Sequence, residues 1–380
     1  VTRTDSADRA AGHTSADGRS PGAGDAAGVD FGYAQRTVRT PLFSGRIGLR
    51  LVGVSAAALA VALGVSVLAL GLGDYRLGVD EVARALVGAG QRFQRTIVVE
   101  WRLPVIAAAL VFGALLGIGG AIFQSLTRNP LGSPDVIGFD AGSYTGVVLT
   151  ILVFGAGGYW DIAAAALTGG LLTAVAVYLL AYRGGVAGFR LIIVGIAVAA
   201  MLGSVNAYLI TRADIDEALS VGFWAAGSVA DVTWSSMLPS LAVAAVLVIA
   251  TVVGSPSLRR LELGDDAAVT QGTRVGTARL SLLLVGVATT ALVTAAAGPI
   301  AFVALVAPQI GRRLSRSAGV STLSAACTGA ALLACAHLLS LLIAEVYRAV
   351  PVGLITVCLG GIYLIWLLVH EARRQYGTHP

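Results

Sequence analysis

Apolar runs long enough to cross the roughly 30 Å hydrocarbon core of a bilayer recur from Leu49 to Val369, and almost every charge falls between them. With 56% hydrophobic and only 12% charged residues in 380, a water-soluble fold would leave far more apolar surface than it could bury. The chain therefore reads as an all-α membrane protein of about ten spans. In the first half these fall at 49–72, 103–127, 141–156, 162–182 and 191–211; in the second at 237–253, 280–297, 300–311, 321–344 and 352–370. The eighth is too short to cross alone unless it runs past Pro308 or is buried in protein, where broken helices are tolerated.

An even number of spans puts both termini on one side, and arginine bias selects that side, because positively charged short loops stay cytoplasmic. Arg46 and Arg50, Arg183 and Arg190, and Arg312, Arg313 and Arg316 share one face if the N-terminus is inside. The other face carries Asp214, Asp216, Glu217 and Asp231, and the long amphipathic 74–102 stretch. Residues 1–45 are rich in Gly, Ala, Asp, Ser and Arg and lack an apolar segment, so they are expected to form a disordered cytoplasmic tail. A membrane-spanning domain follows at 46–372, with a short cytoplasmic tail at 373–380. The surplus of 26 basic over 21 acidic residues is topological, since no basic stripe with interleaved aromatics accompanies it.

Small residues at four-residue spacing, Gly113 and Gly117, then Gly138, Gly142 and Gly146, read as close helix crossings in lipid. Cys327, Cys335 and Cys358 have neither metal-ligand nor CxxC spacing and read as buried small apolar residues. The interiors of the expected spans hold no Asp, Glu, Lys or Arg, which disfavours a carrier driven by an ion gradient. His337 is the one interior histidine, and a lone intramembrane His reads as a hydrogen-bonded packing residue rather than a proton relay. Scattered Ser, Thr and Cys offer no paired nucleophile or metal constellation for a membrane enzyme. Every basic residue is Arg, so no GxxxxGK[ST] phosphate loop exists, and ATP, if it is the fuel, must bind another subunit.

The polar loop at 259–279 contains Asp265, Asp266, Ala267 and Ala268, then Gly272. Acids at the start of a short helix suit its dipole, and a glycine lets the chain turn sharply at its end, which makes a rigid knob that a partner can push. Trp101-Arg-Leu-Pro104, the glycine-rich 113–124 run and Arg128-Asn-Pro-Leu-Gly-Ser-Pro-Asp135 follow one another in order. So do Phe189-Arg-Leu-Ile-Ile-Val-Gly195, Trp224-Ala-Ala-Gly-Ser228, Gly298-Pro-Ile-Ala-Phe-Val-Ala-Leu-Val-Ala-Pro308 and Pro351-Val-Gly-Leu-Ile-Thr356. Over residues 50–370 this order resembles the iron-siderophore and vitamin B12 permease family of ABC importers. The Gln124 to Gly138 and Gly353 to Ile365 segments look most similar to ferric enterobactin permeases, ahead of those for haem or B12.

The resemblance implies a B12-permease-like (type II importer) fold in the cytoplasmic membrane and a substrate path along a permease dimer, a heterodimer rather than a homodimer. It also implies two cytoplasmic ATPase subunits that carry ATP and Mg, an external siderophore-binding protein, and no cofactor on this chain. Residue by residue, it makes the 259–279 loop the coupling loop, with Asp265, Asp266, Ala267, Ala268 and Gly272 at its core. Asn129 and Leu131 match positions that narrow the cytoplasmic end of the path, and the 183–190 loop, with Gly188 and Phe189, matches the second element of that gate. Arg102 matches an arginine that meets an acid on the binding protein. Val105 stands where the family often has a second arginine, so Arg348 is the other docking candidate.

Overall fold

The computed structural model describes residues 35–39, 44–135, 137–155, 158–182 and 188–376 in two units, 1–48 and 49–380. In the first unit Gln35–Arg39 (β1) pairs antiparallel with Ser44–Gly48 (β2). This hairpin straddles the end of the 1–45 segment expected to be a disordered tail, whose residues 1–34 and 40–43 lie outside the described residues.

The second unit is all-helical: α1 Leu49–Gly71, α2 Val79–Leu86, α3 Arg92–Arg95, a π-helical turn Thr96–Arg102, α4 Leu103–Thr127, α5 Phe139–Leu152, α6 Tyr159–Ala181 and α7 Gly188–Arg212. The chain continues with α8 Ile215–Ala225, α9 Trp234–Glu262, α10 Asp265–Thr270, α11 Val275–Ala297, α12 Val303–Ser315, α13 Thr322–Val346 and α14 Val352–Tyr376. Eight helices among the described residues are long and apolar enough to cross a membrane. The shorter α5 and α12 fall at the third and eighth of the ten expected apolar segments.

α4 is the axis of this unit. Every residue from Leu115 to Leu126 is buried, because α4 has neighbours on all sides and its glycines let them approach to backbone contact. A Cβ on Gly113 would overlap the Gly329 carbonyl of α13, one on Gly117 the Ala325 carbonyl, and one on Gly120 the Ala304 carbonyl of α12. Pro308 cannot donate the helical hydrogen bond that Ala304 would otherwise accept, so the backbone of α4 at Gly120 rests against a carbonyl left open by a proline. The second ladder is real in part: Gly142 and Gly146 pack on Gly169 and Ala165 of α6, whereas Gly138 meets Gly195 and Ala199 of α7.

At 14 and 13 residues, α5 and α12 rise only about 20 Å each, too little for the hydrocarbon core. Each follows irregular backbone that returns into the protein, and the two re-entrant segments satisfy one another. The Phe302 amide at the start of α12 donates to Asp135 Oδ2 at 3.0 Å, Gln309 Nε2 donates to the Pro130 carbonyl at 2.8 Å, and Gln124 Nε2 donates to the Leu305 carbonyl at 2.9 Å. Buried backbone polar groups must be paired in lipid, and the Phe302 amide, which has no helical acceptor at the start of α12, is satisfied in this way. The short eighth span thus survives inside protein: Val303 to Gln309 are all buried.

Two expectations are corrected here. α5 begins at Phe139 rather than 141, which brings Asp140 into a span; its carboxylate accepts a hydrogen bond from Thr294 Oγ1 of α11 at 3.1 Å. The chain re-enters the protein before α5 starts, so hydropathy alone misplaced the helix end. Of the three cysteines, Cys327 and Cys335 are half-buried and Cys358 is exposed, because α14 leaves much of its surface uncovered by this chain.

Candidate functional site

The loops at one end of the helices converge on α10. Helix α9 ends at Glu262, Gly264 turns the chain with φ 116°, α10 runs six residues, and Gly272 turns it again with φ 77° before α11. A positive φ at both turns suits glycine, which lacks the Cβ that makes this region costly. Ala268 is fully buried and pins α10 to the helices behind it, while Asp266 and Val269 face outward. The knob is therefore anchored at its back and bare at its front.

Asp265 fastens α10 to its neighbours. Arg128 Nη2 donates to Asp265 Oδ1 at 2.6 Å and Arg279 Nη2 donates to the same oxygen at 2.7 Å. Partial burial pushes the Asp265 carboxyl up, but its hydrogen bonds and charge contacts with Arg279 and Arg128 outweigh that and hold it below the usual carboxylate range. Arg128 also closes α4 in a left-handed conformation, φ 50°, and its Nε donates to the Leu261 carbonyl at 3.2 Å. One arginine thus joins the end of α4, the end of α9 and the start of α10.

The residue after it is Asn129. Its Oδ1 accepts the Leu131 amide at 2.9 Å, so the side chain folds the Asn-Pro-Leu corner into a tight turn and leaves Leu131 exposed. Gly188, at the start of α7, lies against Thr127: a Cβ there would come within 2.6 Å of the Thr127 Cα. The two segments expected to form a gate are therefore neighbours, with Leu131 and Phe189 both exposed at their edge. Arg183 and residues 184–187 lie outside the described residues.

Glu262 was missed from the sequence. Its Oε1 accepts from Ser125 Oγ at 2.5 Å and from the Val320 amide at 3.3 Å, tying α9 to α4 and to the 316–321 loop. Asp135 and Gln309 were missed too; only the proline flanking Asp135 hinted at a special backbone.

At the opposite end Arg102 is already occupied. Its Nη1 donates to the Leu70 carbonyl at 2.7 Å and its Nη2 to the Tyr75 carbonyl at 2.6 Å, so it holds the turn after α1. Arg348 is exposed beyond α13, near the Arg76–Glu345 bridge of 2.9 Å in chain order, and makes no hydrogen bond or ion pair among the described residues. His337 is 7% exposed and, contrary to the sequence expectation, no described residue hydrogen-bonds it.

Eight membrane-length apolar helices among the described residues, two half-length helices packed among them and a bolted helical knob at one end define a multi-pass membrane transport subunit. The profile of the FecCD transport family matches residues 58–370, and the chain belongs to that family. The ferric enterobactin transport system permease protein FepG of Escherichia coli is 46% identical over 303 residues, covering 80% of this chain and 91% of FepG. A probable siderophore transport system permease of Bacillus subtilis, YfhA, is 33% identical over 329 residues, covering 84% and 93%. FepD of Escherichia coli, also a ferric enterobactin permease protein, is 34% identical over 251 residues, covering 65% and 74%. A solved structure of an inward-facing metal-chelate type ABC transporter superposes with a TM-score of 0.73 at 24% identity, covering 84% of this chain and 99% of that one, which shows the fold.

Proposed function

We propose that this chain is the permease subunit of an ATP-driven importer that carries a ferric siderophore across the bacterial cytoplasmic membrane. FepG, the 46% identical relative, is named for ferric enterobactin transport, and FepG and FepD are distinct permease proteins that both resemble this chain. That pairing favours a heterodimer with a second, related permease. Two cytoplasmic ATPase subunits bind ATP and Mg, press on α10 at Asp266 and its exposed neighbours, and a binding protein delivers cargo at the other end, near Arg348 and the turn that Arg102 supports. Both termini then lie in the cytoplasm with the arginine-rich loops.

One observation carries the mechanism: Arg128 joins the Asn129–Leu131 corner directly to Asp265 of α10. A push on α10 is transmitted through that arginine to the corner and to α4, whose packing on α12 and α13 has discrete alternatives rather than a continuous range. ATP binding and hydrolysis on the partners then bias two packings of the helices and open the path alternately to either side. This chain performs no bond chemistry.

The gate is tested by replacing Asn129 and Leu131 together with Ala. Removing the Asx turn and the exposed leucine is expected to give cargo flux into reconstituted vesicles without ATP, and to reduce ATP-driven accumulation about ten-fold. If the corner only caps helices, assembly falls but the surviving complexes stay tight. Flux with and without ATP at matched amounts of assembled transporter separates the two, and a tight double variant removes both residues from the gate.

A further inference from the structure

At the end opposite α10 a cavity of about 350 Å³ opens between α1, the π-helical turn, α4 and α13. That volume is within the range of small-molecule sites, roughly 300–1,000 Å³. His337 lines it, is 93% buried by its 7% exposure, and has no hydrogen-bond partner among the described residues. Buried polar groups are paired in native structures, so an imidazole turned into a cavity without a protein partner marks a place for one supplied from outside. As a neutral ring it offers one donor and one acceptor.

The rest of the lining restricts what that partner is. Tyr75 and Phe93 meet edge to face, with centroids 5.5 Å apart, and Trp101 stands exposed at the rim, so the walls suit a flat aromatic ring. Asp74 and Arg102 both line the cavity and their charges act on each other, and Arg102 spends its two Nη groups on the Leu70 and Tyr75 carbonyls. The rim therefore carries one charge of each sign and selects for neither. An alkyl chain would leave His337 unpaired, and a charged ligand would find no uncompensated counter-charge.

We infer that this cavity binds a small neutral phenol, its ring against the aromatic side chains of the lining and its hydroxyl hydrogen-bonded to His337. The site is separate from α10 and from the Asn129–Leu131 corner, and it stands whether or not the proposed cargo is correct.

The test is a ligand-observed NMR titration of the intact protein in lipid nanodiscs with p-cresol, and with toluene as the same ring lacking the hydroxyl. Ala230 lines the cavity from an exposed turn, so Ala230→Trp fills the space without touching His337 or a helix interior, and it supplies the background for partition into lipid. Saturable p-cresol binding is expected in the unaltered protein, at least ten-fold weaker binding in His337→Leu, and none above background in Ala230→Trp. Toluene should bind the unaltered protein at least ten-fold more weakly than p-cresol. The inference is overturned if p-cresol does not saturate, if Ala230→Trp binds it equally, or if toluene binds as well as p-cresol.

Discussion

Gly120→Ala is expected to cost about 3 kcal/mol, the upper end of overpacking effects, and to remove most folded protein from detergent extracts. The single added carbon would overlap the Ala304 carbonyl, which is backbone and cannot swing aside as a flexible side chain would. Either α4 separates from α12, losing the contacts of both with α13, or α12 shifts and breaks the Gln124–Leu305 and Phe302–Asp135 hydrogen bonds. The control is Gly64→Ala on α1, where a Cβ meets nothing within 4 Å and intrinsic helix propensity favours Ala by up to about 1 kcal/mol. Thermal melting followed by size exclusion checks both. A Gly120→Ala protein that melts with the unaltered one would show that the α4–α12 contact is looser than described.

The second large effect is expected at Gly272, through conformation rather than space. Its φ of 77° lies in the left-handed region, yet a Cβ there meets nothing within 4 Å. Gly272→Val therefore adds no clash but forces a β-branched residue out of this conformation, which costs about 1–2 kcal/mol even for ordinary side chains. The turn after α10 would rearrange at the surface and leave the helices intact. Membrane insertion and amount should be normal, ATP-driven uptake should fall ten-fold or more, and hydrolysis by the partner ATPase should continue uncoupled. Gly272→Asn is expected to keep most uptake, because Asn tolerates the left-handed region. Normal uptake in the Val variant would detach the shape of this turn from coupling, and equal loss in the Asn variant would show that φ is not the cause.

The helices were legible because spans are written locally: a run such as 103–127 is apolar enough to cross whatever surrounds it, and α4 ends at Thr127 as expected. The glycine spacing at 113 and 117 was equally readable, since backbone contact in lipid needs small residues at that interval. What the sequence could not show were pairs set by the return of the chain into the protein. Asp135 meets Phe302 across 167 residues and Arg128 meets Asp265 across 137, and neither pair leaves a periodic trace. Asp140 was placed outside a span for the same reason: a half-length helix that starts inside the protein has no polar flank to mark its beginning. In the α10 loop, Asp265, Asp266 and Gly272 were singled out from the acids and the glycine, but which acid is bolted down and which faces outward is a tertiary fact. Arg102 was read as a docking residue from its position in the motif, which says nothing of the two carbonyls that it also serves.

The central claim is that ATP hydrolysed on partner subunits, not an ion gradient, drives cargo through this chain. Asp140 inside α5 gives the rival a carboxylate to work with, so the energy source is the measurement that matters most. Proteoliposomes holding this chain, its second permease and the ATPase, with binding protein and radiolabelled ferric siderophore on one side and ATP with Mg on the ATPase side, report it directly. The account expects iron to accumulate only with hydrolysable ATP and to be unaffected when ionophores collapse proton and sodium gradients. Accumulation that proceeds without ATP and follows an imposed proton or sodium gradient would contradict it.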